Sequence, residues 1–215
     1  MFLGRAGSAR GHEGQAFVLH FLRDRPNVDI RYEEGDPHGT IPAVNEGRLD
    51  LAVVFEYGMV PHNWPKDLNM TLIMEEPLYV LVPTGHRLAG RKRIQFGELS
   101  AERWISYTEG MDASLNLSHI CAASGFDPDV LFRTNDYNLP FELVRKGLGV
   151  AIVPELAMIE SHDVCVFRLG DPSHIRRVFT VSRATDPNPL LGHATNMLIS
   201  AAEVLHRRTD LPVAV

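Results

Sequence analysis

The sequence predicts an α/β protein built as two lobes that are joined by two crossover strands. Apolar runs that suit buried strands, such as 51–55 and 150–153, alternate with helix-like segments in two successive series. That alternation is typical of α/β folds. Two more strand-like segments, at 78–82 and 177–182, lie where the chain passes from one series to the other. We therefore expect a pair of hinge strands with a cleft between the lobes.

The first series supplies the elements of one lobe. Alternating apolar and polar residues over 28–33 predict a strand with one wet face. The predicted elements in order are a strand over 1–4, a helix with Phe17, Val18, Phe21 and Leu22 on one face that Pro26 ends, the strand over 28–33, a short helix that Thr40 caps and Gly47 ends, and a strand over 51–55. Strands at 68–74 and 78–82 follow, and we expect Glu75, Glu76 and Pro77 to separate them.

The second series supplies the other lobe. Its predicted elements are a strand over 104–107, a helix around Leu115 and His119 that Gly125 ends, a strand over 130–133, a helix over 139–146 that Gly147 caps, and strands over 150–153 and 164–167. The hinge strand over 177–182 then leads back to the first lobe, which a long final helix after Pro189 completes. We assign residues 1–77 and 178–215 to the first lobe and residues 78–177 to the second.

Composition excludes several classes of function. The 215-residue chain has 21 Lys and Arg against 27 Asp and Glu, a net charge of −6, so the phosphate backbone of DNA repels it. Cys121 and Cys165 are its two cysteines, and two cysteines alone cannot fill a four-ligand zinc site. We expect both to be buried free thiols, and we expect neither a metal nor a cofactor.

The sequence carries no recognisable catalytic or targeting signal. It contains neither a GxSxG nor a P-loop motif, and Glu56, Glu109 and Asp136 are carboxylates outside any catalytic pattern. The first residues do not resemble a signal peptide, and no apolar run approaches the roughly 20 residues of a membrane span. We therefore expect a cytoplasmic protein that is not an enzyme.

Five segments of the chain, taken in order, resemble one protein family. They are SARGHEGQAFVLHFLRDRPNVDIRYEEGDP at 8–37, AVNEGRLDLAVVF at 43–55, EEPLYVLVPTGHRLAGRKRIQFGELSAERWI at 75–105, SGFDP at 124–128 and LVRKGLGVAIVPELA at 143–157. Each segment is weak alone, but the shared order and spacing make the set specific. The chain resembles the effector-binding domain of bacterial LysR-type transcriptional regulators.

The resemblance implies a fold like that of type 2 periplasmic binding proteins, with two Rossmann-like lobes and mixed sheets around an effector cleft. It also implies a homodimer or higher homo-oligomer, with the helices over 8–25 and 113–124 as the candidate interface. DNA would be bound only through an N-terminal helix-turn-helix domain that this chain lacks. The residues His12-Glu13-Gly14-Gln15 depart from the apolar residues and proline usual in the family, so no known effector is carried over.

The strand ends predict where an effector binds. Ligands of open α/β sheets sit beyond the carboxyl ends of strands, where helix N-termini favour anions. One predicted corner is formed by Gly7, Ser8 and Ala9, and a second by Tyr107 and Thr108. The Ser8 hydroxyl could instead only cap its own helix, and Thr108 could be only a turn residue. We expect the ligand to be a small carboxylate.

Other strand ends complete the predicted site. The remaining candidates, including the predicted rim, are Asn135, Asp136, Ile152, Val153, Pro154, Glu56, Tyr57 and His12. Asn135 and Asp136 either contact the ligand or form a polar loop that caps the next helix. In the family that the chain resembles, the strand end at 152–154 lines the cleft.

These features predict an effector-sensing domain. A bound metabolite would favour one angle between the lobes and change how dimers pack. Two alternatives share the fold, namely a periplasmic solute-binding protein and an enzyme with catalytic groups in the cleft. The GRLDLA segment at 47–52 and the GVAIVP segment at 149–154 favour the regulator.

Overall fold

The computed structural model describes residues 2–6, 23–35, 37–136, 138–159 and 161–208. Within these ranges the chain divides into two units. The described residues of unit 1 fall within Met1–Glu56, His62–Glu75 and Arg177–Asp210. Those of unit 2 fall within Tyr57–Pro61 and Glu76–Arg176.

The described chain contains nine strands and four α-helices. The strands are β1 (Phe2–Ala6), β2 (Arg31–Gly35), β3 (Leu51–Tyr57), β4 (Leu68–Pro83), β5 (Arg103–Ser106), β6 (Asp129–Arg133), β7 (Val150–Pro154), β8 (Val164–Arg168) and β9 (Ile175–Arg183). The helices are α1 (Pro37–Asn45), α2 (Asp112–Ala123), α3 (Leu139–Arg145) and α4 (Leu191–Arg208). None of these described helices has the length and apolarity that crossing a membrane requires.

Unit 1 is built on parallel strands. β1 pairs in parallel with both β2 and β3, and the strand order continues from β3 to β9 and β4. Its core includes Leu51 together with Leu191 and Ala194 of α4. The apolar stripe of α4 therefore covers the sheet, as its helical spacing predicts.

Unit 2 contains a mixed sheet. β5 pairs in parallel with β6 and β7, whereas β4 pairs antiparallel with β7 and β8. The core joins the strands to α3 through Ile105, Phe141, Val144 and Ala151. Parallel β5 and β7 end at the same edge of the sheet, and the polar residues that follow them are therefore brought together there.

β4 and β9 contribute residues to both units, and β4 corrects one prediction. Residues 68–83 form a single strand rather than two strands separated at Glu75, Glu76 and Pro77. The polar residue at the centre of this segment does not break the strand, because the buried Glu76 is neutralised by Arg176. A charge pattern that looks like a solvent-exposed break is in fact a buried ion pair.

Further element boundaries differ from prediction. β1 continues to Ala6, with Arg5 and Ala6 paired to β2, and it is therefore longer than the predicted strand over 1–4. α1 begins at Pro37, and Thr40 is therefore a buried residue inside the helix rather than its cap. A proline is well suited to a first helical turn, where the missing N–H would have no partner.

The segment Tyr57–Pro61 groups with unit 2, although the sequence places it in the first lobe. The Gly58 N–H donates to the Ile175 carbonyl at 2.9 Å, and a Cβ at Gly58 would collide with the Ser173 carbonyl oxygen. The segment thus lies close against backbone of unit 2, and only glycine permits that approach.

The Glu76–Arg176 pair is the most deeply buried ion pair of unit 2 among the described residues. The Glu76 side chain is 0% exposed and that of Arg176 is 1% exposed, with 2.5 Å between Arg176 Nη2 and Glu76 Oε1. Glu76 Oε2 also accepts the Leu156 N–H at 2.7 Å. Burial raises the pKa of Glu76, and Arg176 and the Leu156 amide oppose that shift. The carboxylate therefore connects β4, β9 and the turn after β7.

Replacing Glu76 by Gln should strongly destabilise the chain, because the Arg176 charge would remain buried without a counter-charge. We expect the free energy of unfolding to fall by about 3–5 kcal/mol, measured by urea denaturation. Glu75→Gln is the matched control, since the neighbouring Glu75–Arg177 pair is 50% and 37% exposed and should contribute at most about 1 kcal/mol. Equal losses in the two variants would contradict this assignment.

His174 is a buried histidine beside an aromatic cluster in unit 2. Its side chain lies 6.3 Å from the Phe96 ring, and Nδ1 has no hydrogen-bond partner among the described residues. Burial lowers the pKa of His174 below its ordinary value of 6.5, and the nearby Asp171 only partly offsets this effect. Protonation of this ring is therefore easier in the unfolded chain than in the folded one.

Stability should fall as the pH drops through about 6.5, because the unfolded chain binds the His174 proton first. We expect His174→Gln to reduce this loss, as seen in unfolding free energies measured between about pH 5 and 8. His162→Gln, at an exposed histidine, should leave the pH dependence unchanged. A His174→Gln variant with the full wild-type loss would argue against this role.

Candidate functional site

A small pocket lies at the carboxyl ends of β5 and β7 in unit 2. Its lining residues come from the ends of these strands, from α2 and from the segment Tyr57–Pro61: Tyr57, Ile105, Ser106, Tyr107, Ala113, Asn116, Leu117, Ile152 and Pro154. The cavity has a volume of about 10 Å³, which is room for about one water-sized group. Tyr57, Tyr107, Ile152 and Pro154 are candidates that the sequence predicts, and the structure brings them together here.

Two buried side chains of the pocket each have a polar atom without a hydrogen-bond partner among the described residues. Asn116, on α2, is 1% exposed, and Ser106, the last residue of β5, is 4% exposed. Asn116 Oδ1 and Ser106 Oγ both lack a partner. Buried polar groups are nearly always hydrogen-bonded in proteins, so two exceptions in one pocket indicate a place for a ligand or a water molecule.

The sequence analysis missed both of these residues, although α2 carries a signal for one of them. Asn116 lies four residues before the buried Ile120, and residues at that spacing are neighbours on one side of a helix. A polar residue at the spacing of a buried apolar one is the pattern that would have identified it. Ser106 lies in a strand that is buried on both faces. No alternation of buried and exposed residues therefore distinguishes its side chain from those of the core.

Thr108 and Asn135 lie together at the same edge of the sheet. The Thr108 N–H donates to Asn135 Oδ1 at 3.3 Å, and the Thr134 N–H donates to the Ser106 carbonyl at 3.0 Å. Both Thr108 and Asn135 are exposed. These bonds hold the ends of β5 and β6 side by side, so the two candidates Thr108 and Asn135 lie together.

Asp136 forms hydrogen bonds within its own loop. Its Oδ1 accepts the Asn138 N–H at 2.8 Å, and its own N–H donates to Thr134 Oγ1 at 3.0 Å. The carboxylate therefore organises the loop that leads into α3. This is the local turn role that Asp and Asn side chains commonly take.

Arg133 brings a positive charge to the start of α2. Its guanidinium donates to the Tyr107 carbonyl at 3.3 Å and to Ser114 Oγ at 3.1 Å. Met111, which precedes α2, makes no side-chain capping hydrogen bond. The first turn of α2 and Arg133 thus form a positively polarised corner, although Asp112 in that first turn supplies part of the compensating negative charge.

Val153 does not line the pocket. Its side chain is fully buried in the core cluster of unit 2, whereas Ile152 and Pro154 on either side line the pocket. Successive side chains of a strand point to opposite faces, so the predicted run of three contacts reduces to two.

Glu56, predicted at the rim, is a mostly buried carboxylate of unit 1. Its Oε2 accepts the Trp64 indole N–H at 3.0 Å and the His62 N–H at 3.3 Å, and Arg177 lies 3.7 Å from its Oε1. These partners engage the carboxylate within unit 1. The other candidates Gly7, Ser8, Ala9 and His12 lie outside the described residues, and their roles stay predictions.

The described residues include no group of three or more His, Cys, Asp and Glu side chains arranged to hold a metal ion. Cys121 and Cys165 are free; Cys121 is buried, and Cys165 is only half-buried rather than buried as predicted. Burial, with a smaller contribution from Asp127, raises the pKa of Cys121 to about 12. This thiol is therefore protonated, and unreactive as a nucleophile, at neutral pH.

Comparison with known families decides the class of the chain. The family model described as "LysR substrate binding domain" matches residues 16–202. The chain belongs to this family. The family that the sequence motifs resemble is thereby confirmed.

The LysR relatives include regulators of known name. The "Transcriptional dual regulator GltC" of Bacillus subtilis is 29% identical over 144 residues, which cover 67% of this chain and 47% of that protein. The "Small neutral protease regulatory protein" of Streptomyces lividans is 31% identical over 144 residues, which cover 66% of this chain and 41% of that protein. The chain thus spans about half the length of the curated relatives it matches.

Solved structures show the same LysR fold. The "BenM effector binding domain with its effector benzoate" has a TM-score of 0.80 at 20% identity, covering 100% of this chain and 96% of that one. A Corynebacterium glutamicum OxyR C206 mutant also has a TM-score of 0.80, at 15% identity, covering 97% of this chain and 65% of that one. These likenesses confirm the predicted type 2 periplasmic-binding-protein-like fold.

Proposed function

We propose that this chain is the effector-sensing part of a bacterial LysR-type transcriptional regulator and that a small carboxylate is its effector. The observation that carries the proposal is the pocket at the carboxyl ends of β5 and β7, in a chain of the LysR family. Two unpartnered buried polar groups line this pocket. A purely structural interior would normally pair such groups.

The corner beside the pocket supports an acidic ligand. Thr108 is exposed and follows β5, and Arg133 and the uncapped first turn of α2 supply positive polarisation. BenM, whose effector-binding domain shares the fold, has benzoate as its effector. We infer that a carboxylate of the effector contacts Thr108 at this corner.

In the whole protein, we propose that DNA is bound by a helix-turn-helix region outside this chain. Relatives such as "HTH-type transcriptional regulator CysB" of Haemophilus influenzae carry that description, and the net charge of −6 makes this chain a poor partner for a phosphate backbone. A regulator that contacts bacterial DNA acts in the cytoplasm. The effector would act by shifting a conformational equilibrium.

Three alternatives have less support. The curated relatives are regulators rather than enzymes or solute-binding proteins. One relative is a "Hydrogen peroxide-inducible genes activator" of Dickeya chrysanthemi, 24% identical over 173 residues, which raises peroxide sensing as another possibility. Peroxide attacks a thiolate, and the pKa of Cys121, raised to about 12, leaves almost none at neutral pH. Thiol chemistry is therefore disfavoured at Cys121.

Thr108→Val should weaken carboxylate binding, because the variant loses the hydroxyl donor and keeps the side-chain shape. We expect affinity to fall about tenfold, since a hydrogen bond to a charged group contributes about 1.5–3 kcal/mol. The measurement is isothermal titration with benzoate and a panel of aliphatic mono- and dicarboxylates. Thr84→Val, at an exposed threonine after β4, is the matched control. Identical affinities for all three proteins would remove Thr108 from the site.

We also propose a homodimer that uses the exposed face of α2. Leu115 on this helix is 40% exposed, and Leu148, in the turn before β7, is 42% exposed. We expect Leu115→Arg to shift the chain toward monomer in light scattering at micromolar concentration, because a charge in an apolar contact is costly. Leu148→Arg should leave the mass unchanged. A Leu115→Arg variant that stays dimeric would exclude this face.

A further inference from the structure

Ser106 and Asn116 indicate which functional group of the effector the pocket accepts. Both side chains line the same cavity, both are more than nine-tenths buried, and each has a polar atom without a partner among the described residues. The backbone carbonyl of Ser106 is already engaged by the Thr134 N–H at 3.0 Å. The hydrogen-bonding capacity left over here therefore belongs to the two side chains.

The rest of the wall is apolar or aromatic. Ile105, Ala113, Leu117, Ile152 and Pro154 present hydrocarbon to the cavity, together with the rings of two tyrosines. No carboxylate or basic side chain is among the lining residues. A charged group that entered the cavity would lose its hydration without meeting an opposite charge, which is strongly unfavourable.

A neutral group that both donates and accepts can form a hydrogen bond with each of the two polar atoms. An amide oxygen such as Asn116 Oδ1 only accepts hydrogen bonds, whereas a serine hydroxyl donates and accepts. A carboxylate oxygen only accepts, so it would face Asn116 Oδ1 without a proton between them. An alcohol or phenol hydroxyl can donate to Asn116 and accept from Ser106. The cavity volume of about 10 Å³ suits one oxygen-sized group.

We propose that the effector carries a hydroxyl group that enters the Ser106–Asn116 pocket, so that the effector is a hydroxy acid. This inference rests on the proposed function for the rest of the ligand, whose carboxylate lies at Thr108. Two residues of extended chain span roughly 6–7 Å, and Ser106 and Thr108 are two residues apart. A ring or short chain that separates hydroxyl from carboxylate by about that distance fits both contacts.

The test compares acids that differ only by a hydroxyl. The probes are benzoate against 3-hydroxybenzoate and 4-hydroxybenzoate, and butanoate against 3-hydroxybutanoate and 4-hydroxybutanoate. Affinities come from isothermal titration, and the contact is located by NMR shifts of the Asn116 side-chain amide and the Ser106 and Thr108 backbone amides. We expect at least one hydroxy acid to bind tenfold or more tightly than its partner, because a site that hydrogen-bonds a hydroxyl rejects the analogue that lacks it.

Variants assign the preference to the two residues. Ser106→Ala and Asn116→Leu should each bring a hydroxy acid and its matched acid to within about twofold of each other. Ser118→Ala is the control, since Ser118 is exposed on the same helix and its hydroxyl bonds to the Ser114 carbonyl at 3.2 Å. The control should keep the full preference.

Two binding results would overturn the inference. One is that no hydroxy acid shifts the Ser106 and Asn116 resonances up to its solubility limit. The other is a hydroxyl preference that survives in Asn116→Leu. If acids shift the Thr108 and Asn135 amides alone, the proposed function stands and the hydroxyl inference fails. The Thr108→Val titration therefore judges the proposed function separately.

Stability of the ligand-free chain separates an effector hydroxyl from a permanently bound water. Asn116 Oδ1 has no partner among the described residues, and an unsatisfied buried acceptor destabilises the folded chain, so its removal relieves that cost. We therefore expect the thermal midpoint of Asn116→Leu to equal or exceed that of the wild type. A clear fall in the midpoint would indicate a structural water that joins the two residues, and would overturn the inference.

Discussion

The buried ion pair between Glu76 and Arg176 is the constraint on which unit 2 depends. Its carboxylate receives Arg176 on one oxygen and the Leu156 N–H on the other. It therefore binds three stretches of chain that are distant in sequence, namely β4, β9 and the turn after β7. Two desolvated charges are tolerated only where both are bonded this completely. A strand that carries Glu-Glu-Pro at its centre can therefore run without interruption.

β7 links the Glu76–Arg176 ion pair to the pocket through its contacts with β4. β4 pairs with β7 over Leu78–Leu81, and Tyr79 on β4 donates to Glu155, just after β7, at 3.1 Å. Burial, reinforced by Glu155, raises the pKa of Tyr79 to about 12, so this donor keeps its proton. The carboxyl end of β7 is thus fixed from two sides. Ile152 and Pro154 can then present a defined wall to Ser106 and Asn116.

Sequence reasoning succeeded where one physical rule decides the outcome. The runs 51–55 and 150–153 became β3 and β7, because continuous apolar segments leave few alternatives to a strand covered on both faces. Sequence reasoning failed where the structure of a segment depends on its contacts with other residues. Glu76 looked like a strand break because its partner Arg176 lies 100 residues away, and Thr40 looked like a cap although Pro37 already starts the helix.

In the candidate site, too, some residues can be predicted from the sequence and others cannot. Tyr107, Thr108 and Asn135 could be found because strand ends meet at one edge of a parallel sheet. Asn116 and Ser106 could not be ranked from the chain alone, since a polar residue in a buried element usually has a partner elsewhere. Only the folded chain shows that their polar atoms find none among the described residues.

The two parts of the candidate site favour different chemical groups of a ligand. The corner at Thr108 and Arg133 is exposed and positively polarised, so it can hold a carboxylate that keeps part of its hydration. The pocket at Ser106 and Asn116 is lined by no charged side chain, and both polar side chains are buried, so it favours a group that forms hydrogen bonds without charge. A carboxylic acid without a hydroxyl group can bind at the corner, but it leaves the polar atoms of Ser106 and Asn116 in the pocket without a partner. Discrimination between related acids would then arise in the pocket, because an unsatisfied buried acceptor costs more than an exposed contact contributes.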